Sequence, residues 1–122
     1  MKGIDVAKWN GTIQWDKVKN SGIDFVILKV INKQCREEDA FQRNYVGATT
    51  QGIQVGCYNY SYATSVAKAQ EDARKVVQVL NGRKMPFGVW LDVEDKCQQA
   101  IGHLLIDIIN AYQKIIEAAG YE

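Results

Sequence analysis

The sequence predicts an α/β fold in which parallel strands alternate with covering helices. Short apolar runs recur four times, beginning at Gly3, Phe25, Val55 and Phe87. Between and after them lie stretches whose apolar residues return at three- and four-residue intervals, the helical period. The distance from each run to the next leaves room for a crossover helix, which parallel neighbours require.

The elements follow in order. A first strand covers Gly3 to Val6, and a helix runs from about Trp15 to Asn20, with Gly22 as its stop. Phe25-Val-Ile-Leu-Lys-Val30 is almost continuously apolar, the pattern of a strand buried on both faces. A second helix spans roughly Asp39 to Gln51. Phe41, Tyr45 and Ala48 share one of its faces and Gly52 ends it. The third strand is Val55 to Tyr60. Ser65 is a suitable N-cap for a third helix whose buried face carries Ala69, Ala73, Val76, Val77 and Leu80, and Asn81-Gly82 closes it. The fourth strand is Phe87 to Val93. Ile101, Leu104, Leu105, Ile108, Ile109, Tyr112, Ile115, Ile116 and Ala119 then form one wide apolar stripe, which Gly120 stops.

Composition sets the outer bounds. Hydrophobic residues make up 47% and charged residues 24% of the chain, ordinary proportions for a soluble globular protein of one domain. The net charge is +1 and no basic block stands out, so nucleic-acid binding gains no support. The opening MKGIDVAKWNG lacks an apolar h-region, so no signal peptide is expected. No apolar run approaches the roughly 20 residues that span a membrane. Cys35, Cys57 and Cys97 are widely spaced and His103 is the only histidine, which argues against a zinc site and for free, partly buried thiols.

Two architectures accommodate four β-α units: an open doubly wound sheet, or part of an eight-stranded β/α barrel. In both, function gathers at the C-terminal ends of the strands. Those ends carry Asp5, with Trp9 just beyond it; Lys29; Tyr58 and Tyr60, followed by Tyr62; and Asp92 with Glu94. Residues two apart on a strand point to the same face, so Asp92 and Glu94 are expected side by side. Their crowding is expected to keep one of them protonated as an acid. Carboxylates flanked by aromatic rings suit sugar chemistry. Glycosidic cleavage needs an acid for the leaving oxygen and a carboxylate to support positive charge at the anomeric carbon, and aromatic rings stack on the apolar faces of sugars. The same residues have plainer uses. A strand-end acid pair also caps helices or pairs with a cation such as Lys29, Tyr58 and Tyr60 also fill cores, and Trp9 also anchors a loop.

Several stretches together resemble glycoside hydrolase family 25, the Chalaropsis-type muramidases found among phage endolysins and bacterial autolysins. Gly3-Ile-Asp-Val-Ala-Lys-Trp-Asn-Gly11 followed by Ile13-Gln-Trp15 is similar to the family opening GIDVSxWQGxIDW. Ser21-Gly-Ile-Asp-Phe-Val-Ile-Leu-Lys29 resembles its second strand, Val55-Gly-Cys-Tyr-Asn-Tyr-Ser-Tyr-Ala63 its VGxYHYSYA segment, and Val89-Trp-Leu-Asp-Val-Glu-Asp95 its acid motif VWLDVED. The resemblance implies an irregular TIM-type barrel of eight strands and about five helices, of which this chain supplies a (βα)4 portion within one lysozyme domain over 1–122. It implies hydrolysis of the β-1,4 bond between N-acetylmuramic acid and N-acetylglucosamine in peptidoglycan glycan strands, at the bacterial cell wall, with no cofactor. It implies Glu94 as general acid/base, Asp92 as stabiliser of the developing charge or of the substrate's acetamido group, Asp5 as their support and Tyr58 at the cleavage subsite. Trp9, Tyr60 and Lys29 are further substrate-binding candidates.

The chain also departs from the family. It ends after the fourth helix, so strands five to eight and a further aspartate on the last strand have no counterpart. Val30-Ile-Asn-Lys33 stands where the family often reads Ala-Thr-Glu-Gly, Asn59 replaces a histidine, and Ala7 replaces a serine. On this reading the chain is a truncated domain whose open sheet edges favour self-association. Competing readings are an inactive half-barrel, a chitinase-type hydrolase and a doubly wound binding or signalling module. The chitinase motif DxxDxDxE is broken at Phe87 and Trp90, and a phosphoacceptor receiver would need an aspartate where the third strand ends in Tyr-Asn-Tyr.

Overall fold

The computed structural model describes residues 3–6, 13–93 and 104–121. Four strands, β1 (Gly3–Val6), β2 (Phe25–Lys29), β3 (Gln54–Tyr60) and β4 (Val89–Asp92), alternate with α1 (Trp15–Asn20), α2 (Phe41–Thr50), α3 (Val66–Leu80) and α4 (Leu104–Ala118). The strands form one parallel sheet in the order β1-β2-β3-β4. Each strand adds beside its predecessor in the same direction. Right-handed crossovers therefore lay the helices over one face, as in a β/α barrel, whereas a doubly wound sheet reverses direction to cover both.

Local chemistry sets the boundaries. Ser65 Oγ accepts a hydrogen bond from the Lys68 N–H at 3.1 Å and caps α3. Asn81 and Gly82 take the left-handed conformation at φ 47° and 80°, which turns the chain out of α3. The bare Cα of Gly47 on α2 lets the indole of Trp15 lie flat against that helix; a Cβ there would sit 2.0 Å from the ring.

The core lies between sheet and helices. Val26, Leu28, Val55 and Cys57 point into it from the strands, and Phe41, Ala48, Ala73, Val76, Leu80, Tyr112 and Ile116 meet them from the helices. Asn59 Nδ2 donates to the Tyr112 hydroxyl at 3.4 Å, tying β3 to α4 inside this layer. Ile108 with Ala63 and Ala69 forms a smaller cluster between α4 and the start of α3.

Several expected details change. The fourth strand is Val89–Asp92 rather than Phe87–Val93, because Phe87 and Gly88 form the turn that enters it, with the Gly88 N–H bonded to the Met85 carbonyl at 2.8 Å. In α3 Val79 is buried along with Val76, while Val77 is half-buried. The apolar run of β2 is not buried on both faces. Val26 and Leu28 are fully enclosed, whereas Phe25, Ile27 and Lys29 are half-buried, because the helices cover only one side. No helix among the described residues is long and apolar enough to cross a membrane.

Candidate active site

The parallel register builds the site. Residues paired across adjacent strands share a face, and the pairing Asp5–Ile27–Gly56 places Asp5 on the side away from the helices. One step toward the C-terminal ends, Lys29, Tyr58 and Trp90 form the next row; beyond it Tyr60 pairs with Asp92. Two-residue alternation thus delivers Asp5, Lys29, Tyr58, Tyr60 and Asp92 to one surface, while Val6, Leu28, Cys57 and Asn59 between them face the helices.

These side chains line a groove of about 690 Å³, together with Ile27, Tyr62, Trp90 and Leu91. That volume falls in the range of small-molecule sites. Gly56 is the register partner of Ile27 on this face. A Cβ at this position would lie 2.8 Å from the Phe87 carbonyl, 2.9 Å from that of Gly88 and 2.9 Å from Ile27 Cδ1. Glycine therefore lets the Phe87-Gly88 turn that enters β4 close up on β3. Phe25 and Phe87 stack at 4.2 Å with their planes 6° apart, closing the opposite end of this face.

The groove combines acid and aromatic character. Asp5 is exposed and Asp92 half-buried. The Tyr58 hydroxyl is pushed above the usual phenol range, first by burial and then by the negative charge of Asp5, Glu38 and Asp92. Its neutral form is thereby held in the middle of an acidic surface. Tyr60 and Tyr62 lie with ring centroids 5.0 Å apart and planes tilted by 51°. The Trp90 Nε1–H donates to the Phe87 carbonyl at 2.6 Å, which fixes the indole while leaving it 57% exposed.

Of the residues singled out in the sequence, six meet here: Asp5, Lys29, Tyr58, Tyr60, Tyr62 and Asp92. Glu94 and Trp9 lie outside the described residues, as do Cys97 and His103. β4 ends at Asp92, so the expected side-by-side placement of Asp92 and Glu94 falls outside the described residues. Trp90 and buried Glu38 are additions. Trp90 was readable, since it stands two residues before Asp92 on the same strand. Glu38 was not, because it comes from the irregular segment between β2 and α2. Cys35 and Cys57 are free thiols, and among the described residues no group of three or more His, Cys, Asp or Glu is placed to hold a metal ion.

The sequence model described as "Glycosyl hydrolases family 25" matches residues 4–122. Lysozyme M1 of Streptomyces globisporus is 36% identical over 61 residues, 50% of this chain and 21% of that protein. The autolytic lysozyme of Clostridium acetobutylicum is 26% identical over 104 residues, 85% of this chain and 31% of that protein. The chain thus spans about a third or less of the length of these curated relatives. The modular autolysin LytC from Streptococcus pneumoniae, solved in complex with a synthetic peptidoglycan ligand, superposes with a TM-score of 0.84 over 98% of this chain and 30% of its own, at 24% identity. Because the family match runs from the first strand to the last residue, the chain belongs to glycosyl hydrolases family 25.

Proposed function

We propose that residues 1–122 form a peptidoglycan-hydrolysing muramidase domain that cleaves the β-1,4 bond between N-acetylmuramic acid and N-acetylglucosamine. The observation that carries this reading is the common face. Asp5, Tyr58 and Asp92 line one groove at the C-terminal ends of parallel strands, with aromatic rings around it. Family membership and relatives named as lysozymes support it.

In this reading a glycan strand lies along the groove with its sugar faces against Tyr60, Tyr62 and Trp90. Glu94, two residues beyond Asp92, donates a proton to the glycosidic oxygen as the bond breaks, then takes one from the incoming water. Asp92 stabilises the positive charge at the anomeric carbon, directly or by holding the substrate's acetamido group against it. Asp5 adds negative potential from β1, the opposite edge strand of the same face. Tyr58, kept neutral, donates a hydrogen bond to the sugar at the cleavage point. Lys29 occupies the same row and balances the acidic floor, and Trp9, four residues after Asp5 in the sequence, is a further substrate-binding candidate.

The test is release of new reducing ends from purified peptidoglycan by the unmodified chain and by Glu94→Gln. Release by the unmodified chain alone is the expected result. Equal turnover by Glu94→Gln removes Glu94 from the mechanism, and no release by the folded unmodified chain removes the activity.

A further inference from the structure

One cation stands at the edge of the groove on a segment where this chain departs from its family. Ile31 and Glu37 form an antiparallel bridge that pinches off residues 32–36. Inside that loop the Asn32 N–H bonds to the Arg36 carbonyl at 2.8 Å, and the Cys35 N–H to the Asn32 carbonyl at 3.0 Å. Asn32 Oδ1 accepts from the N–H groups of Gln34 and Arg36 at 3.0 and 3.1 Å. The loop is therefore closed by its own hydrogen bonds, with exposed Lys33 at its tip. Lys33 Nζ lies 5.0 Å from the centroid of the Tyr62 ring. Tyr62 lines the groove and contacts Tyr60, the register partner of Asp92.

We infer that Lys33, seated on Tyr62, is a carboxylate-binding subsite at the rim of the glycan groove. The inference rests on the muramidase reading and names which substrate group this rim takes. A ring beneath the ammonium fixes its position at little cost in solvation. Three N–H donors remain for the aromatic face and a ligand to share. The groove itself carries two carboxylates, Asp5 and Asp92, against one cation, Lys29, so its balance is acidic and a substrate carboxylate is favoured at the rim over the floor. That polarity orients the strand. A glycan of N-acetylglucosamine alone is neutral, whereas muramic acid carries a lactyl carboxyl group, free or extended by a stem peptide with carboxylates of its own. Lys33 thus distinguishes the wall polymer from neutral chitin-like chains.

The experiment uses the full chain with Lys33→Glu, Lys33→Ala and Lys33→Arg. Binding to insoluble glycan is measured by sedimentation, and reducing-end release gives kcat and KM. Three substrates separate the carboxylate sources: intact peptidoglycan, amidase-stripped glycan with free lactyl groups, and stripped glycan amidated to neutrality. An exposed charge pair changes affinity by up to about fivefold. Lys33→Ala should therefore weaken binding and raise KM by about that factor with kcat held, Lys33→Glu by more, and Lys33→Arg should restore both. The difference between variants should vanish on the amidated glycan. A shift on stripped glycan assigns the lactyl carboxylate, and a shift on intact peptidoglycan alone assigns the stem peptide. If the unmodified chain binds and cleaves but the Lys33 variants match it on every substrate, the subsite is overturned while the muramidase reading stands. If the unmodified chain neither binds nor cleaves, both fall.

Discussion

Tyr60 and Asp92 are register partners at the ends of β3 and β4, so a phenol ring and a carboxylate stand side by side on the face of the sheet that the helices leave open. One row below, Tyr58 lies between Lys29 and Trp90. Charged and aromatic groups therefore share one surface that spans three strand spacings from Asp5 on β1 to Asp92 on β4, each spacing about 4.8 Å. No loop rearrangement is needed to bring them together; parallel pairing and two-residue alternation suffice.

This arrangement has an electrostatic signature that is independent of turnover. The Tyr58 phenol is raised by burial and by Asp5, Glu38 and Asp92. Asp5→Asn and Asp92→Asn should each lower its titration midpoint, read as tyrosinate absorbance, with Tyr58→Phe identifying the transition. Asp16→Asn, on exposed α1, should leave it where it is. If neither groove substitution moves the midpoint, the carboxylates do not face Tyr58.

Gly47 is a packing requirement rather than a turn. A methyl group there would meet Trp15 Cδ1 at 2.0 Å and Nε1 at 2.5 Å, and the indole is 7% exposed with little room to retreat. Gly47→Ala improves helix propensity by up to about 1 kcal/mol, yet overpacking costs typically about 1–3 kcal/mol. The expected net is a lower Tm, with Trp15 fluorescence shifted to the red as its ring is pushed outward. A gain in Tm would mean α1 moves aside freely.

Much of this was legible in the sequence, for identifiable reasons. β1 and α1 fall where glycine punctuation and apolar period place them, and Asp5, Lys29, Tyr58, Tyr60 and Asp92 were found because strand ends are read by counting in twos. Burial of β2 on both faces was misread. A continuous apolar run records that Ile27 and Phe25 are apolar, not that anything covers them. Val79 was missed on α3 because its side of the helix faces α2, where Arg83 bonds both the Val79 carbonyl and Gln42, a tertiary effect that helical period alone does not carry. The approach of Glu38 to Tyr58 and of Lys33 to Tyr62 depends on the path of residues 30–40, which is set by Asn32 side-chain bonds and a left-handed Cys35 at φ 59° rather than by any period.

The cap of α3 offers a stability test away from the groove. Ser65 Oγ satisfies the Lys68 N–H, one of the donors that a helix start leaves open. Ser65→Ala should cost about 1 kcal/mol in urea denaturation, and Ser65→Asp should retain most of the stability. Loss of the same size in both variants would point to the hydroxyl's size rather than its hydrogen bond.

Buried Cys57 gives the chain an alkaline weakness whose sign follows from its burial. Its thiol is fully enclosed between sheet and helices, and desolvation lifts its pKa from 9.0 to about 12. The folded chain therefore keeps this proton between those values while the unfolded chain releases it. The unfolded state binds fewer protons there, so stability is intact below about pH 9 and falls as pH rises, by up to about 1.4 kcal/mol per pH unit for this group. Cys35, raised to about 11 mainly by burial, and Tyr112, raised by burial, act in the same direction. Cys57→Ala removes one of these groups and leaves a small cavity, so at pH 7 the variant should be the less stable by about 1 kcal/mol. Urea midpoints at pH 7, 9 and 10.5 should show that gap narrowing and then reversing as the unmodified chain loses ground. A gap that stays constant across the series would mean that the Cys57 thiol ionises in the folded protein as readily as in water.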